Sequence, residues 1–275
     1  MRIGIVAPST PILPETADRV TALAAEAFPE VELVFHPQCF LSHRHFAGDD
    51  AARSGAFVEV ANDPRFDALW FARGGYGSCR IAEPVLERLR PAARDKAYLG
   101  FSDAGYMLAA LYRAGFPRVA HGPMPGDMRR EGGEAAVARA LAWLARADPA
   151  ALEGGLGDAP AAAFNITVFS QLLGTALEPD LTGHVLMLED VSEHMYRTDR
   201  SLFHITGNTG VRRVAGIRLG RCTEVPVNDP DFGAGEEEVF RYWCDRSGIA
   251  YLGRADIGHD SGNKVVPFGP SSWRT

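Results

Sequence analysis

Short apolar runs alternate with amphipathic stretches through the first half of the chain, the pattern of a parallel sheet covered by helices. Runs at residues 2–7, 31–35, 66–72 and 97–101 read as strands, and the stretches at 14–27, 49–61, 80–90 and 103–113 as helices. In the first helix Val20, Leu23, Ala24 and Phe28 recur near helical spacing, with Glu15 in the first turn. Pro91 stops the third helix and Gly115 ends the fourth, and a further helix is predicted over 134–145. This half reads as a doubly wound, mainly parallel α/β unit.

Turn formers then collect in Asp148-Pro149-Ala150 and in the run from Gly154 to Pro160, where apolar periodicity is lost. The expected organisation is an N-terminal α/β domain over 1–146, a linker over 147–163 and a C-terminal domain over 164–275. Beyond the linker, runs at 184–188, 214–219 and 249–252 read as strands, with helices near 198–206 and 236–245. The smaller C-terminal domain is expected to be β-rich and barrel-like.

Composition narrows the function classes. At 275 residues, 46% hydrophobic and 23% charged, the chain is an ordinary globular sequence. Its 28 Lys and Arg against 35 Asp and Glu give a net charge of −7, so no nucleic-acid partner is expected. No stretch approaches the ~20 apolar residues of a membrane span, and the first strand runs into Ala7-Pro8-Ser9 without a signal-peptide core. A cytoplasmic location and no membrane partner follow as expectations. Cys39, Cys79, Cys222 and Cys244 are far apart, as reduced structural thiols would be. His43 and His45 flank Arg44, but no H-E-x-x-H signature accompanies them; no metal and no cofactor are expected.

Four segments carry candidate chemistry. Gly100-Phe101-Ser102-Asp103-Ala104 places a serine between a strand and a helix and matches the nucleophile elbow G-x-S-x-G except at Ala104; a plain helix cap is the alternative. Arg73-Gly74-Gly75-Tyr76-Gly77 follows the third strand and fits no phosphate-binding fingerprint, leaving an oxyanion donor or a tight turn. The run from Leu186 ends in Glu189, Asp190 and Glu193, and His259 lies among the loop residues Gly258, Asp260, Ser261 and Gly262. Taken singly, the last two are ordinary solvated turns. Jointly, the segments supply nucleophile, acid and base in the order serine, acid, histidine.

These residues, in this order, resemble the LD-carboxypeptidases, or muramoyltetrapeptide carboxypeptidases, whose relatives include the microcin C immunity peptidases. The resemblance rests on Ala7-Pro8-Ser9, Arg73-Gly74-Gly75-Tyr76-Gly77 with Arg80, Gly100-Phe101-Ser102-Asp103, and Phe164-Asn165 with Gly174-Thr175. It continues through Leu188-Glu189-Asp190 with Glu193, Tyr196, Asp199 and Arg200, and Gly258-His259 with Pro267 and Gly269. Two features depart from the family pattern. Phe164-Asn165-Ile166-Thr167 stands where glycine and serine are more familiar, and the chain stops soon after Gly269, where longer relatives add a strand.

The resemblance implies Ser102 as nucleophile, His259 as general base and Glu189 as the acid orienting the imidazole. It implies an oxyanion hole from the backbone N–H groups of Gly75 and Asp103, and a site in a cleft between the two domains. Alternation along the strand puts Leu186, Leu188 and Asp190 on one face and Met187 and Glu189 on the other, which favours Glu189 over its acidic neighbours. Arg73, Arg80 and Arg200 are the candidates for the substrate's terminal carboxylate. The implied reaction is hydrolysis of an L-D peptide bond, releasing D-alanine from a murein tetrapeptide in cell-wall recycling. The alternatives are a microcin C immunity-like peptidase acting on aminoacyl-nucleotide conjugates, and a non-catalytic binding module for a small metabolite. Oligomeric state is open, with a homodimer as the candidate.

Overall fold

In the computed structural model, which describes residues 1–270, five parallel strands form the body of the first sheet. They are β1 (Arg2–Val6), β2 (Glu32–Phe35), β3 (Ala68–Phe71), β4 (Ala97–Gly100) and β5 (Val119–His121), in the order β5-β4-β3-β1-β2. The central β3 and β4 are buried at every residue, as parallel strands covered on both faces must be. Helices α1 (Pro14–Ala27), α2 (Asp50–Asn62), α3 (Ala82–Leu86), α4 (Gly105–Arg113) and α5 (Gly133–Arg146) connect and cover them. Phe57, Val85 and Leu108 from α2 to α4 share one core, while Val20 of α1 and Leu141 of α5 pack on the opposite face.

A second, smaller parallel sheet follows: β6 (Ala161–Asn165), β7 (Val185–Val191), β8 (Gly216–Thr223) and β9 (Tyr251–Arg254), in sequence order. Helices α6 (Ile166–Leu172), α7 (Met195–Gly207) and α8 (Glu236–Ser247) make the crossovers. Their apolar faces, including Phe169, Leu202 and Phe240, join the same core as α4, so one apolar layer runs between the two sheets. The last short strand, β10 (Val266–Pro267), returns antiparallel to β5, and Gly269 bridges Ala161 of β6, tying the sheets together.

The mixed α/β architecture with a mainly parallel first sheet is the one expected from the sequence. The C-terminal strands, however, form an open sheet and not a barrel, because β6 and β9 stand at its two edges and do not pair with each other. β6 starts inside the stretch read as linker, and β5 lies where no strand is expected. The helix expected over 80–90 narrows to α3, which ends at Leu86, and Arg90 before Pro91 is extended. Residues 271–275 of the expected C-terminal domain lie outside the described residues. No helix among the described residues is long and apolar enough to cross a membrane.

Candidate active site

β4 ends at Gly100, and the chain reverses into a 3-10 turn (Ser102–Ala104) that feeds α4. Ser102 sits at the hinge with φ +60, a left-handed conformation uncommon for a residue with a Cβ. The neighbouring Gly100 has no room for a side chain: a Cβ there would approach the Phe71 side chain to 2.5 Å. The cap alternative for Ser102 is not what the local geometry provides. The cap positions of the turn and of α4 are Phe101 and Ala104, and neither has a side-chain cap.

The glycine loop after β3 packs directly on this hinge. A Cβ on Gly74 would come within 2.9 Å of Ser102 Oγ, and Gly75, at φ +120, has the Thr10 side chain 2.5 Å from where its Cβ would be. Thr10 Oγ1 donates to the Gly74 carbonyl at 2.6 Å. Behind the loop, the fully buried Arg53 donates to the Pro8 carbonyl and, at 2.8 Å, to the Gly77 carbonyl, clamping two loops with one guanidinium. The Asp103 carboxylate accepts from Ser9 Oγ and from the Ser78 N–H at 2.9 Å. Its side chain is thus a brace between the two loops, while its N–H lies in the first turn of a helix, where amides have no intrahelical acceptor.

On the other side of the cavity, Glu189 and His259 meet. His259 Nδ1–H donates to Glu189 Oε2 at 2.6 Å, with Glu189 fully buried and His259 6% exposed. Glu189 sits at an irregularity in the pairing of β7 with β8 and packs over Gly220, where a Cβ would lie 2.8 Å from its own. Burial works against a charged His259, but the charge and hydrogen bond of Glu189 outweigh it, so the imidazole pKa is raised above its ordinary value. Arg130 opposes this rise and Asp127 assists it. His259 Nε2 has no hydrogen-bond partner among the described residues, and the residue lines the cavity that Ser102 also lines.

The histidine is held from several directions. Its ring lies 4.7 Å, centroid to centroid, from that of Phe101, and Arg130 donates to its carbonyl at 2.6 Å. Asn263 Oδ1 accepts from Gly258 N–H at 3.2 Å and from His121 Nε2 at 3.0 Å. Burial pushes the His121 pKa down to about 4, so this second imidazole stays neutral and is a structural donor.

Asp190, next along β7, faces the other way and is consumed by structure. Its oxygens accept from Asn165 Nδ2 at 2.7 Å, Val191 N–H at 2.9 Å, Thr167 N–H at 3.2 Å and Thr167 Oγ1 at 3.1 Å. Asn165 in turn caps α6 by accepting from the Val168 N–H. Burial first, then the Glu189 charge, raises the Asp190 pKa to about 6 against the hydrogen bonds that lower it. The Asn165-Ile166-Thr167 departure therefore anchors β7 rather than loosening it. Glu193 lies beyond the strand, paired with Arg197 at 3.5 Å.

A cavity of about 450 Å³ gathers Arg73, Gly75, Ser102 and His259 at the C-terminal ends of the first sheet's strands, the edge where parallel α/β sheets place ligands. Two of the three arginines expected there are elsewhere. Arg80 is bound to Asp50 at 2.8 Å and lies over the Phe46 ring, and Arg200 lies over the Tyr196 ring. Sequence reasoning missed Arg129 and Arg130, which the 3-10 turn Pro125–Arg129 brings to the cavity wall. The available signal was the doubled arginine after a Pro-Gly turn, outside any periodic segment.

Two family models match the chain, the LD-carboxypeptidase N-terminal domain over residues 3–122 and the LD-carboxypeptidase C-terminal domain over residues 160–272. The chain is similar to the murein tetrapeptide carboxypeptidase of Pseudomonas aeruginosa, at 28% identity over 98% of this chain and 92% of the relative. Among solved structures, muramoyltetrapeptide carboxypeptidase from Oxalobacter formigenes superposes with a TM-score of 0.81 at 22% identity, covering 98% of this chain and 93% of that one. The microcin C7 self immunity protein superposes with a TM-score of 0.79 at 17% identity, covering 98% and 91%. At these identities the two structural likenesses establish the fold.

Proposed function

The chain belongs to the LD-carboxypeptidase family, and from that premise we propose that it is a serine-type LD-carboxypeptidase releasing D-alanine from murein tetrapeptides in cell-wall recycling. The observation that carries the reading is the buried Glu189–His259 pair, 2.6 Å apart, opening with an unpartnered Nε2 onto the cavity that holds Ser102 in a left-handed hinge. A binding module has no need of a buried carboxylate that polarises one imidazole. The free thiols Cys39 and Cys244, both buried, fit a reducing compartment, and we assign the reaction to the cytoplasm.

In the proposed reaction, Ser102 Oγ attacks the carbonyl carbon of the L-D bond while His259 Nε2 takes its proton. Glu189 keeps the Nδ1 tautomer and stabilises the imidazolium that forms. The N–H groups of Gly75 and Asp103 hold the oxyanion, held in turn by the bracing of Thr10, Arg53 and the Asp103 carboxylate. His259 then hands the proton to the departing amine, the C–N bond breaks, and water hydrolyses the acyl-enzyme by the same route in reverse. For the substrate's terminal carboxylate, Arg73 is the candidate that lies at the cavity; Arg80 and Arg200 are withdrawn.

The murein reading is preferred over the microcin one because the sequence likeness to a murein tetrapeptide carboxypeptidase spans the chain, whereas the microcin immunity protein shares the fold alone. The test is a panel of murein tri-, tetra- and pentapeptides together with an aminoacyl-nucleotide conjugate. D-alanine release from the tetrapeptide is expected. Turnover of the conjugate alone, or of nothing in the panel, would sink the proposal.

A further inference from the structure

Glu189 stands on β7 of the second sheet and His259 in the loop that leaves β9 of the same sheet, whereas Ser102 follows β4 of the first. Their hydrogen bond can aim the imidazole, but it cannot by itself set how far Nε2 stands from the serine. A contact across the two sheets can. His121, the last residue of β5, is in register with Gly100 of β4, just before the Ser102 hinge, and with Val266 of β10. Its buried imidazole reaches the His259 loop, where Nε2 meets Asn263 Oδ1 at 3.0 Å. The same oxygen accepts from the N–H of Gly258, next to His259, at 3.2 Å.

The backbone decides which atom carries the proton. A main-chain N–H only donates, so the Asn263 atom facing Gly258 is the amide oxygen, and His121 Nε2 is therefore its second donor. Burial lowers the His121 pKa to about 4, so this donor is a neutral imidazole near neutral pH. Asn263 is 1% exposed, and the Phe101 ring packs against both imidazoles, with centroids 5.4 Å from His121 and 4.7 Å from His259. Arg130 and Arg139 also donate to carbonyls of the loop, at His259, Ser261 and Asn263. They do so through long, partly exposed side chains. The histidine and the asparagine are short and packed on all sides, so their contact tolerates the least displacement.

We propose that His121 and Asn263 are positioning residues for His259. Glu189 fixes the tautomer and basicity of the imidazole, and the His121–Asn263 contact fixes its placement against the sheet that carries Ser102. Neither residue lines the cavity, so both act through His259 and not on the substrate. The inference rests on the serine and histidine roles of the carboxypeptidase reading and adds the two residues that register one against the other. A displacement of about 1 Å in such a site can cost on the order of 10²-fold in rate. Burial, Glu189, Arg130 and Asp127 set the His259 pKa, and all remain when the contact is cut. The loss is therefore one of placement without a change in basicity.

The test compares full-length His121→Leu and Asn263→Leu with His121→Gln, whose carboxamide keeps an N–H donor at similar reach. Two rates are followed against pH: D-alanine release from the murein tetrapeptide, and labelling of Ser102 by a sulfonyl fluoride, which needs the serine and histidine but no peptide. In both leucine variants kcat and the labelling rate are expected to fall at least about tenfold, with KM within about threefold and the pH limb unmoved. His121→Gln should recover to within about threefold of the parent. Folded leucine variants with parental rates overturn the proposal. So does a pH limb that moves with the loss, or a glutamine no better than leucine. If the leucine variants do not fold, nitrogen NMR of the unmodified protein decides. A neutral His121 with its proton on Nε2 between about pH 5 and pH 8 supports the contact, and an Nδ1–H tautomer or a titration in that range overturns it. Slowed labelling in the variants, with no D-alanine released even by the parent, supports the positioning role and sinks the carboxypeptidase assignment. Parental D-alanine release by the folded leucine variants does the reverse.

Discussion

His259 Nδ1 and Glu189 Oε2 stand 2.6 Å apart although 70 residues separate them, and the pair is shut away from water. The loop carrying His259 leaves β9, which β8 alone separates from β7, and the Ile257 carbonyl accepts from the Arg221 N–H of β8 at 2.8 Å, which brings the loop beside Glu189. With Nδ1–H committed to the carboxylate, the basic lone pair is fixed on Nε2.

Glu189→Gln should therefore cost far more activity than its acidic neighbours do. A glutamine can turn its NH2 toward Nδ1 and stabilise the wrong tautomer, and a fall in kcat on the order of 10³-fold or more is expected. Glu193→Gln, at a half-buried carboxylate 3.5 Å from Arg197 and beyond the strand, should stay within a few-fold. Asp190→Asn should lower Tm more than it lowers kcat, because it breaks acceptors used by Asn165 and Thr167. Parallel kcat and melting measurements decide the ranking, and the largest kcat loss at Asp190 would reassign the acid.

The pH profile follows from the direction of the His259 shift. The base is active when neutral and its pKa is raised, so kcat/KM should climb with pH along a limb centred above the ordinary imidazole value of 6.5. Removing the Glu189 charge removes the principal raising influence, and the residual limb of Glu189→Gln should move to lower pH. A limb that stays in place in the variant would mean that another group titrates.

Asp190 gives a separate stability signature. Its folded pKa is raised from 3.8 to about 6, so the contribution from its protonated form is complete below the unfolded value and is lost as pH rises through about 6. An asparagine does not titrate. The Tm deficit of Asp190→Asn relative to the parent should shrink between pH 4 and pH 6, and a deficit that widens over that window would contradict the assignment.

Two of the three catalytic candidates were readable from the chain because they stand at the end of an apolar run, whereas His259 lies in a glycine-containing loop. Ser102 follows the buried Ala97–Gly100, and Glu189 ends the run from Leu186. What escaped has physical causes. β6 is Ala-Ala-Ala-Phe-Asn, without the β-branched residues that mark strands, and its extended state is imposed by pairing with β7. β5 is three residues long between Pro117 and Pro123, too short for periodicity to register. Arg80 and Arg200 were singled out by position in motifs, whereas Arg129 and Arg130 reach the cavity through an aperiodic turn. Tertiary placement, not local pattern, sorts the four.

The glycine loop offers a steric test of the oxyanion hole. Gly75→Ala must fit a Cβ 2.5 Å from Thr10 at φ +120, and Gly74→Ala one 2.9 Å from Ser102 Oγ. Either change should displace a donor or the nucleophile, and a kcat loss on the order of 10²-fold to 10³-fold is expected. Labelling by a serine-directed sulfonyl fluoride, followed by mass measurement, should slow in parallel. Normal kcat in Gly75→Ala would remove that N–H from the mechanism.

Ser102 itself lets chemistry and strain be separated. A non-glycine residue at φ +60 carries about 1–2 kcal/mol of local strain, which a nucleophile elbow keeps because it aims the hydroxyl into the cavity. Ser102→Ala retains the Cβ and hence the strain, so it should lose turnover while melting near the parent temperature. Ser102→Gly loses the strain as well. Set against roughly 0.5–1 kcal/mol of extra unfolded-state entropy for glycine, the net gain is up to about 1.5 kcal/mol, on the order of 3 °C in Tm for a chain of this length. A glycine variant that is inactive yet more stable than the alanine variant is thus expected. If glycine melts lower than alanine, the hinge is not strained. If either variant keeps activity within a few-fold of the parent, Ser102 is not the nucleophile.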